Sequence, residues 1–262
     1  MKQISAFLFA MCALLMAPAL SAPASAAGNG DIIIVEQDWT FTGIFGKFDR
    51  AQLQRGYKVY TEVCASCHGM EFLHYRNLGE PGGPEFSEAA VKVIAAGFQV
   101  EDGPDDEGSM FERPGRPSDA FVSPFKNDQE ARAANNGALP PDLSVIAKAR
   151  PYGVNYLYSL MTGYVDPPTG FEVADGMYYN SAFKGHQIAM ANPLSPDIVE
   201  YTDGTPATVE NYAKDVTAFM MWAAEPKLEK RHQIGFNVMV YLIVLAGLLY
   251  VAKRRVWARI EH

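Results

Sequence analysis

Cys64-Ala65-Ser66-Cys67-His68 is the stretch of this 262-residue sequence in which residue type and spacing together specify a chemistry. Two thiols three positions apart on a helical turn match the separation of the two vinyl groups of a haem, so each can add to one of them. The histidine that follows puts an imidazole beneath the iron as an axial ligand. The cysteine pair alone would serve equally for a redox dithiol, half a zinc site or a disulfide. Zinc needs two further ligands at suitable spacing, and the third cysteine, Cys12, sits in an N-terminal apolar leader. A thioredoxin-like dithiol needs a βαβ context, which this region lacks. The neighbouring His68 decides for a single, covalently attached haem c.

The second axial position separates the function classes. An open site binds small ligands or performs peroxide chemistry, whereas a closed Met/His site moves single electrons at raised potential. Of the eleven methionines, Met1, Met11 and Met16 fall in the leader and Met239 in a C-terminal apolar run. Met70 is too close to His68 to reach the opposite haem face. Met161, Met220 and Met221 sit in helically patterned segments, where a core role fits. Met110, Met177 and Met190 remain, all in loop-like stretches, with His186 as a rival ligand; the residues alone do not choose among them. His74 reads as a surface or propionate-side residue, and His232 and His262 flank the apolar run.

The elements that must position these groups are helical. Asp49 followed by Gln52 resembles a capping box opening a helix that ends at Cys64, with Gly56, Val59, Tyr60 and Val63 on one face. Gly56 on that face predicts close approach to another helix. Ser87 caps a predicted helix over 88–97 with Ala90, Val93, Ile94 and Gly97 on one side. Residues 101–140, rich in Gly, Pro and acids, read as a long irregular excursion. Short helices follow near 143–149 and 155–162, then loop over 165–207. Thr205-Pro206 opens a last soluble helix with Val209, Tyr212, Val216, Phe219 and Ala223 inward, ended by Pro226. No repeat and no strand-rich region is visible. Loops of this length fit a small domain when they pack on a cofactor or partner.

The two ends are not globular in character. Lys2, the apolar stretch 6–16 and the small-residue site Ala24-Ser25-Ala26 have the order of a cleaved signal peptide over 1–27. Ile234 to Ala252 carries no charge and would span roughly 28 Å as a helix, close to the hydrocarbon thickness of a bilayer. Lys253-Arg254-Arg255 and Arg259 follow, which places the tail on the cytoplasmic side. The expected order is therefore an exported domain over 28–231, a membrane-spanning helix over 232–253 in contact with lipid, and a short tail over 254–262. Residues 28–230 hold 16 Lys+Arg against 29 Asp+Glu, a balance of −13. Such a surface is a poor partner for nucleic acid and a good one for a basic protein.

Several blocks resemble the cytochrome c1 family. They are Gly56-Tyr57-Lys58-Val59-Tyr60 running into the haem motif, Tyr75-Arg76-Asn77-Leu78, and Ala134-Asn135-Asn136-Gly137-Ala138-Leu139-Pro140-Pro141-Asp142-Leu143-Ser144. Leu160-Met161-Thr162-Gly163-Tyr164, Pro167-Pro168-Thr169-Gly170, Gln187-Ile188-Ala189-Met190, Asp203-Gly204-Thr205-Pro206-Ala207-Thr208 and Trp222-Ala223-Ala224-Glu225-Pro226 follow in family order. The resemblance implies a mainly α, class I cytochrome c-like haem domain with long loop insertions and one C-terminal transmembrane helix. It implies thioether links at Cys64 and Cys67, iron ligation by His68 and Met190, Arg150 near a haem propionate, and Asn135, Pro140 and Tyr156 lining the pocket. Some bacterial relatives carry an extra cysteine pair in the loop before the methionine, which this chain lacks.

The implied role is the electron-transfer subunit of the quinol:cytochrome c reductase, without substrate chemistry of its own. It would sit beside cytochrome b and a Rieske iron–sulfur subunit in a dimeric complex of the inner membrane, haem domain in the periplasm, and deliver electrons to a cytochrome c. A free-standing tethered cytochrome c, a haem peroxidase and a haem-stabilised sensor are the rival readings.

Overall fold

The computed structural model describes residues 32–258; the expected signal peptide, Arg259 and His262 lie outside them. Helices dominate: α1 (Arg50–Glu62), α2 (Glu88–Ala96), α3 (Asp128–Ala134), α4 (Ile146–Ala149), α5 (Gly153–Thr162), α6 (Val209–Ala224) and α7 (Leu228–Trp257). Two short antiparallel pairs accompany them, β1 (Gln99–Asp102) with β2 (Phe111–Pro114) and β3 (Tyr178–Tyr179) with β4 (Gln187–Ile188).

The core is the crossing of α1 and α6. Leu53, Val59 and Tyr60 of α1 meet Tyr212, Val216 and Phe219 of α6, all buried. Contact is closest at Gly56, where a β-carbon would lie 2.1 Å from the Asp215 carbonyl oxygen and 2.8 Å from Phe219 Cβ. The expected close approach is therefore realised, and hydrogen is the only side chain that fits. Gly56→Ala should cost about 2–3 kcal/mol by forcing the helices apart; an unchanged denaturant midpoint would refute that packing. Aromatic rings extend the core outward, with Tyr57, Tyr60, Phe121 and Phe219 in mutual edge and tilted contact and Tyr75 stacked on Phe121 at 4.8 Å.

Local signals are met in part. Asp49 Oδ1 accepts from Gln52 N at 3.1 Å and caps α1. The reciprocal half of the expected capping box is absent, because the Gln52 amide reaches across to Asp215 Oδ1 at 3.2 Å. Ser87 caps α2 through Ala90 N. The buried face of α2 is Val91 and Ala95, however, while Val93 is 74% exposed; the inward face is rotated from the one read in the sequence. The last soluble helix is capped one turn later than expected, by Thr208 accepting from Asn211 N. Its inward residues Tyr212, Val216, Phe219 and Ala223 are buried.

The excursion over 101–140 holds the β1–β2 hairpin and α3, so it is more ordered than its composition suggested. Arg113 clamps the hairpin, its Nη1 donating to Asp119 Oδ2 at 2.6 Å and its Nε to Asp102. Hydrogen bonding to Arg113 holds the Asp119 carboxyl down at about 2. A carboxylate with a depressed folded pKa stabilises above its ordinary pKa and stops doing so as pH falls through the depressed one. Loosening of the hairpin is thus expected between about pH 4 and 2, seen as faster amide exchange at 99–114. Protection that stays constant across that window would exclude it.

After α6, Pro226 breaks the helix and α7 begins at once. Leu228 is buried in the core, whereas the rest of α7 stands clear of it. α7 has 30 residues with a mean hydropathy of 2.3 over its most apolar stretch, long and apolar enough to cross a membrane. Its first turn is bound to the base of α1, where Arg50 grips Glu229 through two bonds of 2.6 and 2.9 Å and Phe48 N donates to the same carboxylate.

Candidate functional site

α1 ends at Glu62, and the chain tightens into a 3-10 turn over Cys64–Ser66. Cys67 N and His68 N both donate to the Cys64 carbonyl, at 3.1 and 2.9 Å, so one turn presents both cysteines and the histidine. The two cysteines are free thiols. Burial, with Cys67 adding to it, pushes the Cys64 thiol up to about 12. Thiolate is the reactive form in disulfide exchange, so burial keeps Cys64 as the unreactive thiol at neutral pH. Among the described residues no three His, Cys, Asp or Glu side chains converge on one point as an ion site. Two free cysteines and an imidazole on one turn are the residues that would hold a haem c, and they fit it.

His68 is set up for one job. Its Nδ1 lies 2.8 Å from the Pro141 carbonyl oxygen. A carbonyl can only accept, so Nδ1 carries the ring proton and Nε2 keeps its lone pair. Burial lowers the His68 pKa below the ordinary imidazole value, with the Pro141 bond and Asp142 opposing, so the ring is neutral at pH 7. The surrounding loops are stitched together. Leu143 N donates to Gly69 O, Asp142 accepts from Glu71 N and Ser144 N, Ser144 Oγ accepts from Phe72 N, and Tyr60 OH donates to His68 O. Pro140 immediately precedes Pro141, whose carbonyl accepts the His68 bond, and Asn135 ends α3 five residues earlier, its Nδ2 donating to Ala131 O.

The other candidates gather around Tyr164. Its hydroxyl donates to the Met190 carbonyl at 3.0 Å. Burial raises its pKa, with Tyr156 and Tyr178 contributing. Tyr156 is also raised by burial, opposed by the charge of Arg150. Arg150, Tyr156, Tyr164 and Met190 thus form one neighbourhood. Arg150 itself is exposed, and among the described residues its side chain makes only a 3.4 Å bond to the Ala149 carbonyl. The chain beyond Met190 is strapped down. Tyr212 OH donates to Val199 O at 2.5 Å, Lys58 Nζ to Glu200 O, Tyr201 OH to Asp215 Oδ2 at 2.8 Å, and Arg55 Nη1 to Asp203 Oδ2 at 2.8 Å.

The remaining sulfur and imidazole candidates lie at the β1–β2 hairpin and beside the β3–β4 pair. Met110 is 54% exposed near the hairpin tip, and Met177 lies in a turn just before β3. His186 is held in its own loop, stacked on Tyr179 at 5.5 Å with Nδ1 against the Asn180 carbonyl. Sequence reasoning missed Pro141, Asp142 and Tyr164 as positioning groups. All three stand inside the blocks that carried the resemblance, which was the available signal; their roles depend on backbone carbonyls and loop stitching that sequence does not display.

The sequence profile described as the Cytochrome C1 family matches residues 39–260. The chain belongs to the cytochrome c1 family. It is similar to the cytochrome b/c1 of Bradyrhizobium diazoefficiens, at 52% identity over 84% of this chain, and spans 35% of that longer protein. It is similar to the cytochrome c1 of Rhodospirillum rubrum at 46% identity, covering 91% of this chain and 93% of the relative. The mitochondrial cytochrome c1 heme protein of Saccharomyces cerevisiae is 44% identical, over 94% of this chain and 79% of its own length. Cytochrome c1 membership agrees with the mainly helical architecture and with a C-terminal helix that, among the described residues, is the one long and apolar enough to cross a membrane.

Proposed function

We propose that this chain is the electron-transfer haem subunit of a quinol:cytochrome c reductase, receiving single electrons from a Rieske iron–sulfur protein and passing them to a cytochrome c. The observation that carries the reading is the Cys64–His68 turn with His68 Nδ1 on the Pro141 carbonyl, in a chain of this family. Haem c, when bound, supplies a one-electron couple. Cys64 and Cys67 would hold it by thioether bonds. His68 would hold the iron through Nε2 and Met190 through its thioether sulfur. Arg150 neutralises a propionate, and Asn135, Pro140 and Tyr156 line the pocket.

The protein's contribution is rigidity. Pro141 fixes the His68 ring and the Tyr164 and Tyr201–Asp215 bonds fix the Met190 loop, so little rearranges when charge changes. The chain alone performs no substrate chemistry. The Bradyrhizobium relative, named for both b and c1 and spanned by this chain over 35% of its length, supports a partnership with cytochrome b. The dimeric assembly, the cleaved segment 1–27, the periplasmic placement of 28–231, the span 232–253 and the tail 254–262 complete the proposal. The exposed acids Glu101, Asp105, Asp106 and Glu107 offer a surface that steers a basic cytochrome c, with association weakening as salt rises.

The test is the optical spectrum of the detergent-solubilised protein. A c-type reduced α-band, a weak methionine-to-iron band at the red end and indifference to carbon monoxide support the reading. Ready carbon monoxide binding by the wild type sinks it in favour of an enzyme or sensor.

A further inference from the structure

A groove of about 920 Å³ opens where the domain meets α7. It lies at the polar-to-apolar junction of that helix, between the 228–233 segment and the uncharged run from Ile234. Its floor is the Arg50–Glu229 and Arg50–Glu85 ion pairs, which consume both carboxylates lining the groove. Cations are left over. Lys47 lies near enough to hold the Glu229 carboxyl down without a direct bridge, and Lys230 makes no ion pair among the described residues. The lining carries four Lys and Arg against two Glu, on a domain whose balance is −13. His232 Nδ1 is buried in the same wall, with no hydrogen-bond partner among the described residues. On the membrane side the wall turns apolar: Ile44 and Phe45 are 70% and 69% exposed, and Phe45 meets Phe236 edge-on at 5.6 Å.

We propose that this groove binds the headgroup of an anionic phospholipid from the leaflet on the haem-domain side of the bilayer. A phosphodiester supplies acceptor oxygens to Lys47 and Lys230, neither of them in an ion pair among the described residues, and to His232 Nδ1, which has no hydrogen-bond partner among them, and its acyl chains lie along Ile44, Phe45 and Phe236. A partner's transmembrane helix would leave the two ammonium groups and Nδ1 dry and unmatched. The basic Lys253-Arg254-Arg255 cluster is at the opposite end of α7 and takes no part.

The inference rests on α7 crossing a bilayer, which resistance of the membrane-bound chain to alkaline carbonate extraction checks separately. The lipid site is tested on the full-length, haem-loaded chain in non-ionic detergent, titrated with phosphatidylglycerol or phosphatidylcholine and read by native mass spectrometry. One phosphatidylglycerol is expected to stay bound, with roughly tenfold preference over phosphatidylcholine. Lys47→Gln with Lys230→Gln should abolish the preference, His232→Leu should weaken it, and a Gln replacement of Lys253, Arg254 and Arg255 should leave it intact. The haem spectrum of each variant reports its folding. Equal binding of the two lipids overturns the proposal, as does a preference that survives in the 47/230 variant or is lost only in the tail variant. So does glycerol phosphate competing as well as the lipid, or a Gln233→Cys photocrosslinker on the assembled complex that captures a partner polypeptide at this groove.

Discussion

Met190→Leu should lower the reduction potential by on the order of a few hundred millivolts, within the ~0.8 V range that axial ligands set, while leaving the protein folded and the haem attached. A thioether ligand favours the reduced iron, so its removal stabilises the oxidised form. Leucine nearly matches methionine in volume and is tolerated in packed sites. The backbone of residue 190 stays anchored by Tyr164 through its carbonyl, which any side chain provides. The red-edge band should vanish, and carbon monoxide should bind the reduced variant. Met110→Leu and Met177→Leu should change none of these readings, since one side chain is exposed at the hairpin and the other sits in the β3 turn. A potential unchanged in Met190→Leu and shifted in either control would remove Met190 as the ligand.

The second large effect is on stability. Asp215 is 3% exposed and its carboxylate collects Arg55 Nε at 2.7 Å, Arg55 Nη2 at 3.2 Å, Gln52 Nε2 at 3.2 Å and Tyr201 OH at 2.8 Å. Burial opposes the Arg55 charge, but the hydrogen bonds to Asp215 and Asp203 outweigh it and raise its pKa. Removing one partner of a buried pair strands the other, and typically costs about 3–5 kcal/mol. Asp215→Ala should therefore lower the melting temperature by roughly 8–15 °C for a domain of this size. Asp215→Asn keeps a shape and some hydrogen bonds and should lose less. Because Tyr201 and Asp203 belong to the strap that follows Met190, the Ala variant should also bind carbon monoxide in part. A melting shift under about 2 °C would mean the network contributes little.

Legibility followed the range of the interactions. The haem turn is local, five residues whose types specify the chemistry, and could be read directly. Gly56 was legible because a glycine on an otherwise large apolar face has few physical reasons to be there. The inward face of α2 was misread because its nine residues include four alanines and two valines, so more than one stripe is equally apolar. The β1–β2 hairpin escaped because Gln99–Asp102 and Phe111–Pro114 are exposed or half-exposed throughout, so neither strand has a buried apolar face; ion pairs at Arg113 hold it instead. Gln52 behaved as half a capping box because Asp215, 163 residues away, competes for its amide. The choice of methionine rested on resemblance alone, since the bond from Tyr164 to the 190 carbonyl depends on backbone geometry.

The junction of α6 and α7 bears on how electrons must be delivered. Only Glu225-Pro226-Lys227 separates the two helices, Leu228 is sunk in the core, and Arg50 pins Glu229. There is no slack here for a hinge. If α7 is embedded in a bilayer, the haem pocket has a fixed height and heading above the lipid, like an instrument bolted to a mast. Traffic between redox partners must then be carried by the partners. Under the proposed role, donor and acceptor alike would have to come to a stationary target. Inserting a few flexible glycines after Pro226 would test this directly, by releasing the head from its heading while leaving every residue of the pocket in place.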